Sequence, residues 1–146
     1  MDIRIATDRD AQEITTVFRV SRLQSMPFLP NLHAADEDLQ FVKERMLIDD
    51  QIVVACVDNK VIGFCAFREG WVDHLYLLPE FQRRGIGRTL LNKPKSRYSN
   101  LELWVFQRNI GAIAFYKNSG FSLVETTDGS DNEEGEPDAR YSWNAQ

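Results

Sequence analysis

The sequence predicts one α/β domain of the α+β type, a mixed and largely antiparallel sheet flanked by helices, over residues 1–146. Three observations lead there. Two apolar runs, Gln51–Val57 and Val61–Phe67, are separated only by Asp58-Asn59-Lys60, which reads as an antiparallel hairpin. Stretches with helical spacing then alternate with further strand-like runs, an order that lays helices on the faces of a sheet. A chain of 146 residues with 43% hydrophobic content also suffices for one core and falls short of two comfortable ones.

The elements follow in order. Ile3 to Ala6 alternates and predicts a short strand. Thr7 or Asp8 then caps a helix over about residues 9–22, with Ala11, Ile14, Val17 and Phe18 near helical spacing. A loop stiffened by Pro27 and Pro30 leads to a second helix from about Ala35 to Leu47, whose buried stripe is Leu39, Val42 and Met46. After the hairpin, Trp71–Leu78 is a third strand, closed by Pro79 and a glycine-rich turn. A helix begins near Gly85 and is expected to bend or end at Pro94. Leu101–Phe106 is a strand; Asn109 caps a helix from Ile110 to Asn118, and Gly120 ends it in the left-handed conformation. Phe121–Thr126 and Ala139–Trp143 form a closing antiparallel pair around an acidic loop.

Composition excludes several classes. No apolar run approaches the roughly 18 residues of a membrane span. The start, Met1-Asp2-Ile3-Arg4-Ile5, lacks the basic-then-apolar pattern of a secretion signal, so a cytoplasmic protein is expected. Cys56 and Cys65 lie in apolar strands without a CxxC pair, and His33 and His74 are the two histidines. Buried reduced thiols and no metal site are expected. The net charge of −5 is uneven: Glu125 to Asp138 holds seven acids and no base, leaving 15 acids against 17 bases elsewhere. That surplus is too small to indicate nucleic acid.

The informative stretch is Leu75-Tyr76-Leu77-Leu78-Pro79-Glu80-Phe81-Gln82-Arg83-Arg84-Gly85-Ile86-Gly87-Arg88. It is a strand, a turn with two glycines and a helix start, where unpaired N–H groups carry partial positive charge. Glycine lets the backbone approach a ligand, and Arg83, Arg84 and Arg88 add positive charge, so the segment is a phosphate cradle. A mononucleotide P-loop needs Gly-Lys-Ser/Thr, whereas Gly87-Arg88-Thr89 stands here; a dinucleotide fingerprint needs a small residue where Leu90 stands. A second motif follows: Leu103-Trp104-Val105-Phe106-Gln107-Arg108-Asn109, then Ile110-Gly111-Ala112-Ile113-Ala114-Phe115-Tyr116-Lys117-Asn118-Ser119-Gly120-Phe121.

Together with Gln82-x-x-Gly85-x-Gly87, this resembles the GNAT superfamily of acetyl-coenzyme A-dependent N-acetyltransferases, most sharply over residues 71–121. The resemblance implies acetyl-CoA as co-substrate and no metal. It implies that backbone groups of Leu75, Tyr76 and Leu77 pair with the pantetheine arm like an extra strand. Gln82 and the amides of Arg83, Arg84, Gly85, Ile86, Gly87 and Arg88 then hold the pyrophosphate, and Asn109 contacts the cofactor near its thioester. Tyr116 matches the phenol that protonates the departing thiolate. Asn109 as a simple helix cap and Tyr116 as a packing residue are the structural alternatives.

The attacking amine must lose a proton, since a lysine-type amine has a pKa of about 10.4. Some relatives use a carboxylate five residues before Asn109, where Trp104 stands here. His74 or Asp73 is the remaining candidate base; on a regular strand at most one of them faces the cleft, and His74 has the better intrinsic pKa. His33, in the proline-containing loop, is a candidate acceptor contact, with a bland surface histidine as the alternative. The acidic stretch either steers a cationic amine or is a solvated loop. The expected reaction is direct attack of an amine on bound acetyl-CoA in a ternary complex. The acceptor, a small molecule or peptide, is open. An acyl-CoA-binding module with little turnover is the alternative from another class, and a homodimer through a sheet edge is also open.

Overall fold

The computed structural model describes residues 1–146 and contains one seven-stranded sheet in the order β1-β2-β3-β4-β5-β7-β6. The strands are β1 (Asp2–Ile5), β2 (Gln51–Val57), β3 (Lys60–Arg68), β4 (Trp71–Leu77), β5 (Asn100–Phe106), β6 (Ser122–Thr126) and β7 (Asp138–Asn144). The helices are α1 (Ala11–Ser25), α2 (Ala35–Phe41), α3 (Leu47–Asp49), α4 (Ile86–Arg97) and α5 (Ile110–Asn118). Every neighbouring pair is antiparallel except β4 and β5. The mixed sheet flanked by helices is the expected fold. No helix is long and apolar enough to cross a membrane.

The β2–β3 hairpin closes through Asp58 and Asn59, both at positive φ (52° and 63°). Two left-handed residues make the tight turn whose twist matches that of the strands it joins, and Asp and Asn tolerate that region best after glycine. Along β3 the side chains alternate between faces. Phe64 sits opposite Tyr76 in the register, and both belong to the face that α1 covers, where Phe18 meets the Tyr76 ring edge-on at 5.4 Å. Phe67 belongs to the other face and packs on Tyr98, just beyond α4. A core cluster of 29 buried residues runs through both layers, including Ile14, Val54, Phe64, Leu90 and Leu103.

Several local expectations needed correction. The first helix reaches Ser25, and a short 3-10 turn (Asp8–Asp10) precedes it. The buried Asp10 carboxylate accepts the Thr7 N–H at 2.8 Å and grips Arg4 through two 2.8 Å hydrogen bonds, so Asp10 organises this start. The second helix is not uniform: a π turn over Val42–Met46 joins α2 to α3, and both Val42 and Met46 are buried. Pro94 does not end its helix. α4 continues to Arg97, and Tyr98 N–H bonds the Pro94 carbonyl at 3.0 Å. Proline deprives one carbonyl of its donor, but Leu90, Leu91 and Pro94 are all buried, and that packing outweighs the local cost.

The feature that positions the site is the β4–β5 junction. These parallel neighbours share one register pair, Trp71 with Glu102, reinforced by Glu102 N–H to the Gly70 carbonyl at 2.8 Å. Beyond it they diverge, so the later half of β4 has β3 on one side and no strand on the other. On the paired side, Gly63 lies so close to β4 that a Cβ would sit 2.3 Å from Leu77 Cδ2 and 3.1 Å from the Tyr76 carbonyl oxygen. Gly63→Ala is therefore expected to destabilise the protein by about 1–3 kcal/mol through overpacking. Urea unfolding monitored by tryptophan fluorescence measures this; an unchanged midpoint would show that β4 is not held as tightly as drawn.

Candidate active site

The turn after β4 has the construction of an anion cradle. Leu78 leads into a 3-10 turn (Pro79–Phe81), after which Arg83 and Gly85 take positive φ, 64° and 81°. Gly85 is the N-cap of α4, and the space over its α-carbon is open: an added Cβ would meet nothing within 4 Å. The backbone N–H groups from Arg83 to Arg88 donate to no acceptor within the protein; the helical ladder starts with Thr89 N–H to the Gly85 carbonyl at 3.1 Å. Arg83, Arg84 and Arg88 are exposed and no carboxylate pairs with them, while the first turn of α4 has no acid. Free amides, helix dipole and unpaired guanidiniums converge on one spot.

The two glycines differ in role. Gly85 provides the left-handed turn and open access. Gly87 is buried, and its missing Cβ lets α4 approach Phe115 of α5 (3.4 Å to an added Cβ) and Leu77 (3.5 Å). It serves packing, where close approach to a ligand was the expectation. Ile86 is likewise a core residue. Gln82 is exposed and reaches back along the chain, its amide donating to the Leu77 carbonyl at 3.3 Å, which Ser21 Oγ also reaches at 2.8 Å. Leu75, Tyr76 and Leu77 occupy the half of β4 that lacks a strand on its β5 side.

Asn109 caps α5: its Oδ1 accepts the Ala112 N–H at 3.3 Å, which leaves its amide NH2 free. Tyr116 lies seven residues, about two turns, further on, 8% exposed, between the rings of Phe115 (5.3 Å) and Phe121 (5.6 Å). Its hydroxyl makes no hydrogen bond within the protein. Burial pushes the phenol well above the ordinary tyrosine value, with Cys65 and Tyr76 adding to the shift.

On the α1 side lies a cavity of about 520 Å³. Its floor is aromatic: Phe18, Phe41 and His74, with ring centroids 5.7 and 5.9 Å from the imidazole. Arg22 on its wall adjoins the buried Tyr76 phenol. Across its mouth, the 127–137 loop meets the 26–34 loop. Glu133 reaches His33 Nε2 at 2.5 Å, and Glu134 reaches Arg22 at 3.3 Å. Glu136 takes Arg108 through two hydrogen bonds of 2.9 and 3.0 Å, and that guanidinium lies 4.2 Å from the Phe28 ring centre.

The candidate bases separate. β4 carries a register shift opposite Ala66 and Phe67 that leaves Asp73 out of the pairing with β3. Asp73 binds Arg68 at 2.8 and 3.2 Å, beside Asp50, whose carboxyl is pushed up to about 7 by burial and by Asp73. Asp73 does not line the cavity, whereas His74 does. The intrinsic advantage ascribed to His74 does not survive, because burial pushes its imidazole down to about 4 and leaves a neutral ring of low basicity. His33 moves the other way: the Glu133 carboxylate beside it raises its pKa, with Glu37 and Asp38 adding to the effect.

Sequence reasoning passed over Arg22 and Phe41, and took Glu134 only as part of the acidic stretch. One signal was available: Ser21 continues the buried stripe Ile14, Val17, Phe18, and a polar residue at a stripe position marks a place where the helix meets polar groups. Trp104, 45% exposed on β5, is the residue at the position where some relatives carry a carboxylate.

Comparison with known proteins agrees with this geometry. Residues 49–123 match the family model described as acetyltransferase (GNAT) domain. The peptidyl-lysine N-acetyltransferase YiaC of Escherichia coli (strain K12) is 31% identical over 124 residues, 84% of each chain. The spermidine N(1)-acetyltransferase of Thermoplasma acidophilum is 34% identical over 101 residues, 63% of this chain and 62% of that one. Among solved structures, apo YjaB of Escherichia coli superposes with a TM-score of 0.82 at 22% identity, covering 99% of this chain and 98% of that one. The PaiA N-acetyltransferase of Thermoplasma acidophilum in complex with coenzyme A gives 0.77 at 23%, covering 99% of both.

With only two histidines in the chain, their opposite shifts are directly measurable. In an NMR pH titration, one imidazole (His74) is expected to change charge near pH 4 and the other (His33) above the ordinary value of about 6.5. Two superimposable curves near 6.5 would contradict the buried floor and the Glu133 contact together.

Proposed function

The chain belongs to the GNAT acetyltransferase family, and from that premise we propose that it transfers the acetyl group of acetyl-CoA to a primary amine by direct attack in a ternary complex. The observation that carries this reading is a cradle of free amides at Gly85 directly after a strand edge that no neighbour covers, with the largely buried Tyr116 at the matched motif position on α5. The cradle fits a pyrophosphate by charge and by access over Gly85. The β5-facing edge of Leu75–Leu77 offers backbone groups to an extended amide-bearing arm, as a neighbouring strand would. The free amide of Asn109 faces the same opening. In this scheme acetyl-CoA is a substrate that supplies an activated acyl carbon.

The chain's own groups then manage two protons. The amine enters from the α1 side, where the aromatic floor of the cavity disfavours its charged form. His74, neutral at physiological pH, accepts a hydrogen bond from the amine N–H and orients it; the proton passes to cavity water. As nitrogen bonds to the acyl carbon and the C–S bond breaks, the sulfur takes the Tyr116 proton, and the extra proton on the acylated nitrogen leaves through cavity water to restore the phenol. Burial keeps the phenol protonated up to that point and also weakens it as an acid, so the proton moves only as negative charge develops on the departing sulfur. Lysine side chains and spermidine, named for two relatives, are primary amines of the expected type. The free, buried thiols of Cys56 and Cys65 suit a reducing compartment such as the cytoplasm.

The test is thiol release from acetyl-CoA across a panel of amines, paired with calorimetry of CoA binding. Tyr116→Phe is expected to lower kcat by about 10²-fold or more while leaving the CoA affinity near wild type. Unimpaired turnover in that variant would remove Tyr116 as the acid. CoA binding without turnover on any amine would instead favour a binding module.

A further inference from the structure

The cavity on the α1 side changes character from floor to rim. At the floor, His74 has no hydrogen-bond partner and is so poorly solvated that it resists protonation. A cation is disfavoured there. Towards the rim, Glu133 and Glu134 of the β6–β7 loop join Glu37, Asp38 and Glu44 of the second helical segment, against the two arginines of the lining, Arg22 and Arg45. An acidic rim gives no help to an attacking nitrogen, because it stabilises the ammonium form that cannot attack. Its charge is useful only if the positive charge lies elsewhere on the acceptor.

The rim carboxylates are held in different ways. Asp38 is answered by Arg19 at 2.6 Å and Glu134 by Arg22 at 3.3 Å, both permanent cations. Glu37 turns back to its own helix start, accepting the Ala34 N–H at 2.8 Å. Glu133 is held by a titratable partner, His33, at 2.5 Å, with Glu37 further from the same half-exposed imidazole at 3.8 Å. His33 is faced by Glu133 from the loop and by Glu37 and Asp38 from α2, while Arg19 bonds its carbonyl at 3.3 Å. The His33 imidazolium thus occupies the position that an incoming ammonium group would take on Glu133.

We infer that Glu133 is the acceptor-selecting residue: it receives a second positive charge on the amine acceptor, in exchange for His33, while the reacting nitrogen sits uncharged at the aromatic floor. This rests on the acetyl-transfer reading and narrows its acceptor to diamines and polyamines. It also fixes a sign with pH. As pH rises through the raised pKa of His33, the competing cation is lost and a dication is taken more readily, whereas a monoamine gains nothing from the exchange.

The experiment uses the full chain with saturating acetyl-CoA and two acceptors of equal carbon chain, cadaverine and n-pentylamine. Cadaverine is expected to have the higher kcat/KM by about fivefold or more, expressed in KM. Glu133→Gln is expected to remove most of that preference by raising KM for cadaverine. His33→Asn is expected to lower KM for cadaverine and to flatten the rise of the cadaverine to n-pentylamine ratio between about pH 6 and 8. Equal kcat/KM for the two amines in the unmodified protein would overturn the inference alone, as would a preference that survives in Glu133→Gln. No thiol release from either amine, or from any other, would overturn the acetyl-transfer reading and this inference with it.

Discussion

The parting of two parallel strands is the constraint from which the rest of this molecule follows. β4 and β5 share one register pair, Trp71 with Glu102, and separate beyond it. In a continuous sheet each strand's backbone groups are satisfied by both neighbours. Here the later half of β4 is anchored on one side only, by β3 through residues 63–66 and by Ser21 at the Leu77 carbonyl. The opening leaves a strand edge of β4 uncovered just before the turn whose amides are free at the start of α4.

What keeps the opening from closing is packing on both sides of it. Gly87 lets α4 settle on Phe115 and Leu77, so helices α4 and α5 are tied to the end of β4. α5 is then fixed by the Asn109 cap at one end and by Gly120, at φ +93°, at the other. β7 lies between β5 and β6 and draws β5 away from β4 through a seven-residue antiparallel register. A rigid scaffold thereby holds a gap in a sheet, and functional groups are mounted on its edges.

The acceptor side is built from a different material. Two loops meet over an aromatic floor, and they are joined by ion pairs: Glu133 with His33, Glu134 with Arg22, Glu136 with Arg108. Such contacts are individually weak where exposed and exchange readily with ions of like charge. The proposed cofactor side thus relies on backbone geometry, and the proposed acceptor side on side-chain charge. That division fits a scaffold shared by relatives named for lysine and for spermidine.

Much of this was legible in the sequence, because short-range chemistry specifies it. The hairpin at Asp58-Asn59, the cap at Asn109, the left-handed Gly120 and the Gly85 turn each follow from residues that are neighbours along the chain, and two spaced motifs sufficed to indicate the family. The course of α4 through Pro94 was not legible, since local propensity gives way there to the burial of Leu90, Leu91 and Pro94. Nor were the roles of His74, Asp73 and His33. An imidazole's proton affinity depends on what surrounds it, and Phe18, Phe41, Glu133 and Glu37 come from three separate segments, α1, α2 and the β6–β7 loop. The β4 register shift that removes Asp73 from the cavity is likewise set by how β3 and β4 pair. Sequence by itself determined the elements, their caps and the cradle for a phosphate; only the tertiary structure decided which charges face one another, because desolvation and Coulomb energy depend on distances that chain order does not fix.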